Sequence, residues 1–356
     1  MLLVTGGCGF IGSGFILGWL QDREEAVLNL DLLTYAGHPG NLAAVAGDPR
    51  YSFVHGDIGD QPLVTGLLAQ YRPRAIMNFA AESHVDRSIS MPQAFVETNV
   101  AGTVKLLEAV QTHWQTLPPQ EAGAFRFLHV STDEVYGSLS PDEPPFRESH
   151  CFKPNSPYSA SKAASDHFVR AWHHTFGLPT LTTHCSNNYG PRQFPEKLIP
   201  LMIRHALRAE PLPIYGDGQQ VRDWLHVDDH CEALEAVLEQ GRPGESYNIG
   251  GRAERANLEV VKSVCAALDT LVPAPGGRPR SALISHVQDR RGHDRRYAID
   301  NTKIAHELGW EPRMAFEQGI RLTVQWYLEH QDWVESVTSG SYRHWVKDHP
   351  ARGLAR

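Results

Sequence analysis

The chain has 356 residues, 41% of them apolar and 21% charged, with a formal net charge of −8. This composition provides a globular core, and the length suits one large α/β unit or two domains around a cleft. The acidity excludes the broad basic surface that non-specific nucleic-acid binding needs, and no run reaches the ~18 apolar residues of a membrane span. Five scattered cysteines (8, 151, 185, 231 and 265) form no Cys-x-x-Cys, so reduced thiols in cytoplasm are expected, with no disulfide framework and no metal site. The opening "MLLVTGGCGF" has no basic n-region and is not expected to be a signal peptide.

The first predicted strand, "LLVT", runs into "VTGGCGFIG" and then a helix, "GSGFILGWLQD". Gly6, Gly9 and Gly12 are spaced so that a tight turn can bring backbone N–H groups against a pyrophosphate at the positive end of that helix. Asp31 ends the next strand, "AVLNLD", where a carboxylate can accept from the adenosine ribose hydroxyls and repel a 2′-phosphate. NAD is therefore expected over NADP. Asp57 ends a third strand, "YSFVHGD"; an adenine contact and an ordinary turn fit it equally. A fourth strand, "AIMNFAA", precedes a helix over 98–116 whose apolar stripe is Val100, Val104, Leu107, Val110 and Trp114.

The strand "FRFLHVS" leads into "STDEVYG", which sets two acids side by side. On residues alone, Asp133 and Glu134 fit a solvated turn as well as a working pair. The next helix opens with Ser156 as N-cap and Pro157 at its first position, and Phe168, Trp172 and Phe176 form its apolar side. Tyr158 and Lys162 stand four apart on it, which sets an ammonium near a phenol and favours phenolate below the usual pKa of ~10. A strand, "TLTTHCS", follows. After about residue 185 proline and glycine become frequent and the alternation loosens, although "DDHCEALEAVLEQ" and "ESYNIGG" read as a helix and strand returning to the sheet. The expected fold is α/β: a doubly wound parallel Rossmann-type sheet with a smaller, mostly helical substrate-binding lobe. The dinucleotide-binding domain is expected over 1–185, rejoined at about 224–250, and the second lobe over 186–223 and 251–356.

Together with "FAAESHVDRSI", "CSNNYGP", "FPEKLIPL", "PIYGDGQQVRDWLHVDDH", "YNIGG" and "GHDRRYAID", these motifs make almost the whole chain resemble the extended short-chain dehydrogenase/reductases, within them the dTDP-glucose 4,6-dehydratases. The adjacent Asp–Glu and "GHDRRYAID" carry the narrower likeness. The resemblance implies oxidation at C4 by Tyr158 and NAD, loss of water across C5–C6, and hydride return to C6. In it Lys162 supports Tyr158, Thr132 bonds the sugar, Asp133 is the general acid and Glu134 the base. It places NAD against Gly6, Gly9, Phe10, Ile11, Gly12, Asp31, Leu32, Leu33, Thr34, Asp57, Ile58, Phe79, Ala80, Ala81, Ser83, Thr98, Tyr158, Lys162 and Asn188. It places the nucleotide sugar against Ser83, Thr132, Asn187, Lys197, Leu198, Pro213, Ile214, Tyr215, Arg222, Asn257, Asp289, Arg290, Arg291, Gly292 and His293.

Lys197, Arg222 and the basic run 290–296 are the chemical candidates for a diphosphate, which favours fixed arginine donors. A solvated basic loop is the plain alternative, as a structural role is for His84 and a turn for Asn187–Asn188. Arg291 stands where the family commonly has proline, and the stretch between "VYG" and "SPYSASK" is short for the family. A cytoplasmic homodimer, paired through the 98–116 and 157–176 helices, is implied, with no nucleic-acid or membrane partner. The competing readings are a 4-epimerase, a UDP- or CDP-hexose 4,6-dehydratase and a non-catalytic dinucleotide-binding regulator.

Overall fold

The computed structural model describes residues 1–290 and 292–340; Arg291, expected in the nucleotide pocket, lies outside the described residues. Short apolar runs form the strands β1 (Leu2–Thr5), β2 (Val27–Asp31), β3 (Tyr51–His55), β4 (Ala75–Asn78), β5 (Arg126–Thr132) and β6 (Thr180–Cys185). Six more follow: β7 (Asn187–Tyr189), β8 (Leu212–Tyr215), β9 (Val221–His226), β10 (Ser246–Ile249), β11 (Glu254–Ala256) and β12 (Ile284–Val287). Seven strands make one sheet in the order β10-β6-β5-β4-β1-β2-β3, with every pairing parallel.

Because strand side chains alternate, this sheet feeds two cores. Leu2, Val4, Met77 and Leu128 pack on one face with the helices Phe10–Asp22 and Val227–Gln240. Leu3, Ile76 and Phe127 pack on the other with Gln61–Tyr71, Thr103–Trp114 and Pro157–Phe176. The strand order reverses between β1 and β4, which opens a crevice at their carboxyl ends, the usual ligand position in such sheets. A separate core joins the helices Leu198–Leu207, Asn257–Leu271 and Phe316–Glu329 to β8 and β9. The three-stranded sheet β11-β9-β7 and the pair β12-β8 belong to this side of the molecule. The returning strand β10 pairs with β6 in the large sheet.

Two expected helix faces differ. The chain enters Thr103–Trp114 through a π-helical turn, Val96–Gly102; of the expected stripe Leu107 and Val110 are buried and Trp114 packs on the same core with Leu106, while Val100 and Val104 are only half-buried. In Pro157–Phe176 the inward face is small and polar (Ser159, Lys162, Ser165, Asp166), while Phe168 and Phe176 remain 38% and 44% exposed. Of the expected stripe, Trp172 packs against the core on this face of the sheet, while Phe168 and Phe176 turn outward.

Candidate active site

The crevice holds a cavity of about 310 Å³. All the residues the sequence assigns to the cofactor line it except Leu33. Leu33 has a left-handed backbone (φ 54°) and is buried, and its N–H donates to Asp31 Oδ1 at 2.8 Å. It holds the acid from behind the cavity lining. Cys8 N–H donates to the other carboxylate oxygen at 2.8 Å. Asp31 is therefore fixed, and each oxygen keeps a second lone pair.

The helix Phe10–Asp22 starts at Gly9 with no side chain capping it and no acid in its first turn. Its positive end opens on the cavity. At Gly6 (φ 68°) a Cβ would stand 2.7 Å from Ala80 N, and at Gly12 one would stand 2.5 Å from Gly6 O. Glycine at 6 lets the turn close against the loop after β4 and glycine at 12 lets the helix start close on Gly6 O, and the resulting cradle of N–H groups fits a dinucleotide diphosphate, with Asp31 lining the same cavity.

β5 ends at Thr132, and the chain turns at once into a 3-10 turn, Asp133–Tyr136, whose Glu134 N–H donates to Thr132 Oγ1 at 3.3 Å. Strand alternation stops there, so the neighbouring acids both border the cavity. Asp133 is 2% exposed; its Oδ1 accepts from the Thr132 hydroxyl at 3.4 Å, and its Oδ2 has no hydrogen-bond partner among the described residues. Burial, then the negative charges of Glu134 and Asp223, push its carboxyl well above the usual range. Burial also raises Glu134, but Arg222, Arg290 and Lys197 pull it back. The two carboxyls sit in different fields: one is built to hold a proton, the other to give up its own more readily.

Tyr158 and Lys162 face the same cavity, but not as the four-residue spacing suggests. Lys162 Nζ runs on to the strand, donating to Val130 O at 2.9 Å and lying 3.4 Å from His129 Nε2. Burial, with Glu134 and Cys185, raises the Tyr158 hydroxyl well above its ordinary value, against a hydrogen bond with Thr132. The expected lowering is absent because burial of the phenol dominates. Nearby, Lys197 Nζ donates to Ser83 O at 2.8 Å, and Asn187 presents a buried Oδ1 without a partner among the described residues. The Asn188 amide is held by Ser186 O and His230 Nδ1.

Comparison with known proteins gives this geometry a family. Residues 3–323 match the family model described as GDP-mannose 4,6 dehydratase. The chain is 62% identical over 341 residues to a dTDP-glucose 4,6-dehydratase of Xanthomonas campestris pv. campestris (strain B100), covering 96% of this chain and 97% of that one. It is 52% identical over 354 residues to dTDP-glucose 4,6-dehydratase 1 of Escherichia coli (strain K12), covering 97% and 98%. The chain belongs to the nucleotide-sugar 4,6-dehydratase family. Its structure resembles that of DesIV, a dTDP-glucose 4,6-dehydratase from Streptomyces venezuelae solved with NAD and dTDP bound (TM-score 0.85, 48% identity, 94% of this chain and 99% of that one). A UDP-glucose 4-epimerase from Thermus thermophilus, solved with NAD, is more distant (TM-score 0.79, 29% identity, 92% and 99%).

In this dehydratase the remaining substrate candidates lie beyond the cavity lining. Tyr215 OH and Arg290 Nη1 both donate to Asp86, each at 3.3 Å. His293 Nδ1 lies 2.6 Å from Asp289 Oδ1, and Gln220 Nε2 donates to Asp289 Oδ2 at 3.0 Å. Arg222 is buried, donates to Val221 O and Asp294 O, and lies 4.3 Å from the Tyr297 ring centroid. Leu198 and Asn257 each open a helix, and Gly292 makes a left-handed turn. Pro213 and Tyr215 face outward from β8, but Ile214 is 2% exposed and turned into the second core, so its side chain is not free for a nucleotide. Arg295 and Arg296, from the same basic run, are paired with Asp217 and Glu254.

His84 takes the structural role. It caps a short helix by accepting from Arg87 N–H, and burial lowers its pKa to about 4. Sequence reasoning missed Asn99, whose amide bonds both Glu82 backbone groups and the Ser161 hydroxyl, clamping the loop after β4 to the Tyr158 helix. It also missed Glu196, which lines the cavity and whose only signal is its place beside Lys197.

Proposed function

We propose that this protein is an NAD-dependent hydro-lyase that converts dTDP-glucose into dTDP-4-dehydro-6-deoxy-glucose. The observation that carries this reading is the adjacent acid pair, Asp133 and Glu134, held in one cavity with Tyr158 but in unequal electrostatic fields. NAD held between the Gly6–Gly12 turn and Asp31 would supply the hydride acceptor for C4 and donor for C6, and a positive ring that would favour the phenolate of Tyr158. Tyr158 takes the proton of the C4 hydroxyl, aided by the Thr132 hydroxyl and Lys162. The C4 ketone acidifies C5, and Glu134, flanked by Arg222, Arg290 and Lys197, removes that proton. Asp133, which burial keeps protonated, gives its proton to the departing C6 hydroxyl. Glu134 then returns its proton to C5.

A 4-epimerase needs the glycine cradle and Tyr158 but has no use for this pair, which is why the dehydratase reading is preferred over the epimerase one. Incubation with dTDP-, UDP- and CDP-glucose, followed by chromatography that separates C4 epimers and by mass spectrometry, tests the reading. It expects loss of one water from dTDP-glucose with no net consumption of NAD. Appearance of dTDP-galactose alone would establish the epimerase, and a better UDP or CDP substrate would reassign the nucleotide.

Lys197, Asn187, Arg222 and the Asp289–His293 segment are assigned to the nucleotide diphosphate and base, and the two lobes to cofactor and nucleotide sugar. The same reading makes the enzyme a cytoplasmic homodimer without nucleic-acid or membrane partners. Its support is the charge of −8, the absence among the described residues of any helix long and apolar enough to cross a membrane, and an outward apolar face. That face carries Met91, Val96, Phe168 and Phe176, each more than a third exposed. Light scattering at twice the chain mass is the expected result.

A further inference from the structure

The helix that carries Tyr158 and Lys162 places a third ionisable residue one turn further along the same row, Asp166; Lys162 and Asp166 are buried and Tyr158 is half-buried. Lys162 is 3% exposed, and burial lowers its pKa, so an ammonium there needs a negative charge nearby. Its ammonium meets Val130 O and His129 Nε2 of β5; Cys185 of β6 and Asp166 of its own helix act on it by charge, and His129 Nε2 lies 3.4 Å from Lys162 Nζ and 3.5 Å from Asp166 Oδ1.

Three of these are excluded as the counter-charge. The Val130 carbonyl is neutral, and the Cys185 thiol, pushed up to about 12 by burial, stays protonated. His129 is excluded by its hydrogen bonds. Asn78 Oδ1 receives the Thr5 hydroxyl at 2.6 Å, so the Asn78 amide N–H is the donor toward His129 Nδ1 at 3.0 Å. On that assignment the ring proton sits on Nε2, facing Ser165 Oγ at 3.2 Å and Asp166 Oδ1 at 3.5 Å. His129 thus turns a donor, not an acceptor, toward the lysine. Asp166 is different. Its Oδ2 accepts from Ser131 Oγ at 2.9 Å and lies 3.2 Å from His184 Nε2, and its Oδ1 has no hydrogen-bond partner among the described residues. Burial opposes its charge, yet His184, His129 and Lys162 hold its carboxyl below the usual range.

We propose that Asp166, braced by Ser131 and His184, is the buried counter-ion that keeps Lys162 an ammonium, and so acts as a positioning residue for the oxidation at C4. The inference deepens the proposed function and rests on it for its kinetic arm. Removing a nearby carboxylate lets the lysine lose its proton at lower pH, so the alkaline limb of the cofactor-reduction rate, a step in which Asp133 takes no part, moves down. The other titratable groups facing the pair are His129, His184, Cys185 and Tyr158, with Tyr136 behind His184.

The test is a double-variant cycle on the full chain with NAD and dTDP-glucose. Asp166→Asn is expected to lower kcat ~10-fold or more with KM within about two-fold, and to bring the alkaline limb down by about one pH unit. In a Lys162→Met background the same substitution is expected to cost nothing further, because its partner is gone. An unmoved alkaline limb, or an equal fold-loss in both backgrounds, overturns the proposal. If Asp166→Asn is too unstable to assay, thermal melting decides: a double variant restored toward wild type supports the pairing, and one as unstable as Asp166→Asn alone overturns it. A wild-type protein that fails to dehydrate dTDP-glucose would count against the proposed function. The melting arm needs no substrate and judges Asp166 separately.

Discussion

Replacing Asp133 by asparagine separates two halves of the proposed reaction. The carboxyl is 2% exposed and driven toward its neutral form by burial and by Glu134 and Asp223, so asparagine reproduces its shape and resting charge. Oδ1 keeps the Thr132 hydroxyl as donor, and Oδ2 has no hydrogen bond to lose among the described residues. The melting temperature should therefore change little, corresponding to within about 1 kcal/mol. What asparagine cannot do is hand over a proton. A positioned general acid contributes about 10²–10⁴-fold, or about 3–5 kcal/mol of barrier, and that factor should fall on water loss alone. Oxidation at C4 precedes the step, so reduced cofactor should accumulate on mixing with dTDP-glucose and persist, read by its near-ultraviolet absorbance. Product formation, read by mass, should be slower by the full factor. The wild-type rate should also fall as pH rises through the raised pKa of Asp133, and the residual rate of the variant should lack that limb. Equal slowing of cofactor reduction and product formation, or turnover within ten-fold of wild type, would refute the assignment.

Glu134→Gln should likewise reduce NAD transiently without losing water, and should stop exchange of the C5 hydrogen with heavy water; continued exchange would move the base elsewhere. Arg222→Met removes the first-named of three cations that hold Glu134 down, so the Glu134 pKa rises and the acid limb of kcat should move up by about a unit; an unmoved limb would deny that coupling. Gly6→Ala forces a left-handed φ of 68° on alanine and sets its Cβ 2.7 Å from Ala80 N, at an expected cost of about 1–3 kcal/mol in melting stability together with weaker NAD binding by titration. Unchanged melting and NAD affinity would refute that account of the turn.

Much of the dinucleotide half was legible because its signals are local. The strands are short apolar runs, and the glycine turn sits between one of them and a helix, so position and residue type agree. Asp31 was found for the same reason, and so was the cap at Ser156, which the structure completes as a capping box with Ser159. Failures occurred where a contact joins distant segments. Spacing put Lys162 on the Tyr158 face but could not say that its stem would run on to Val130 O. Phe168 and Phe176 read as part of a buried face by periodicity yet stay exposed, and of that stripe only Trp172 packs inward, beside a buried face that carries Lys162 and Asp166. Asn99 had no local signal, since its work depends on Glu82 and Ser161 arriving from elsewhere.

The acid pair shows how a small local event and a distributed one combine. Had β5 continued through residue 134, alternation would have sent one carboxyl to the cavity and the other to the opposite face of the sheet. The 3-10 turn capped by Thr132 brings both to the same side, and that event is written in four adjacent residues. It does not make them different. The difference comes from Asp223 on β9, which presses on Asp133, and from Lys197, Arg222 and Arg290, which reach Glu134 from three separate segments. A scaffold with the same glycine cradle and the same Tyr158–Lys162 row could therefore oxidise a sugar hydroxyl with no further modification. To remove water it must also hold one neighbouring acid protonated and leave the other freer to ionise. In this chain that second requirement is met by the less regular lobe, so the lobe that would hold the nucleotide also sets the proton inventory of the reaction.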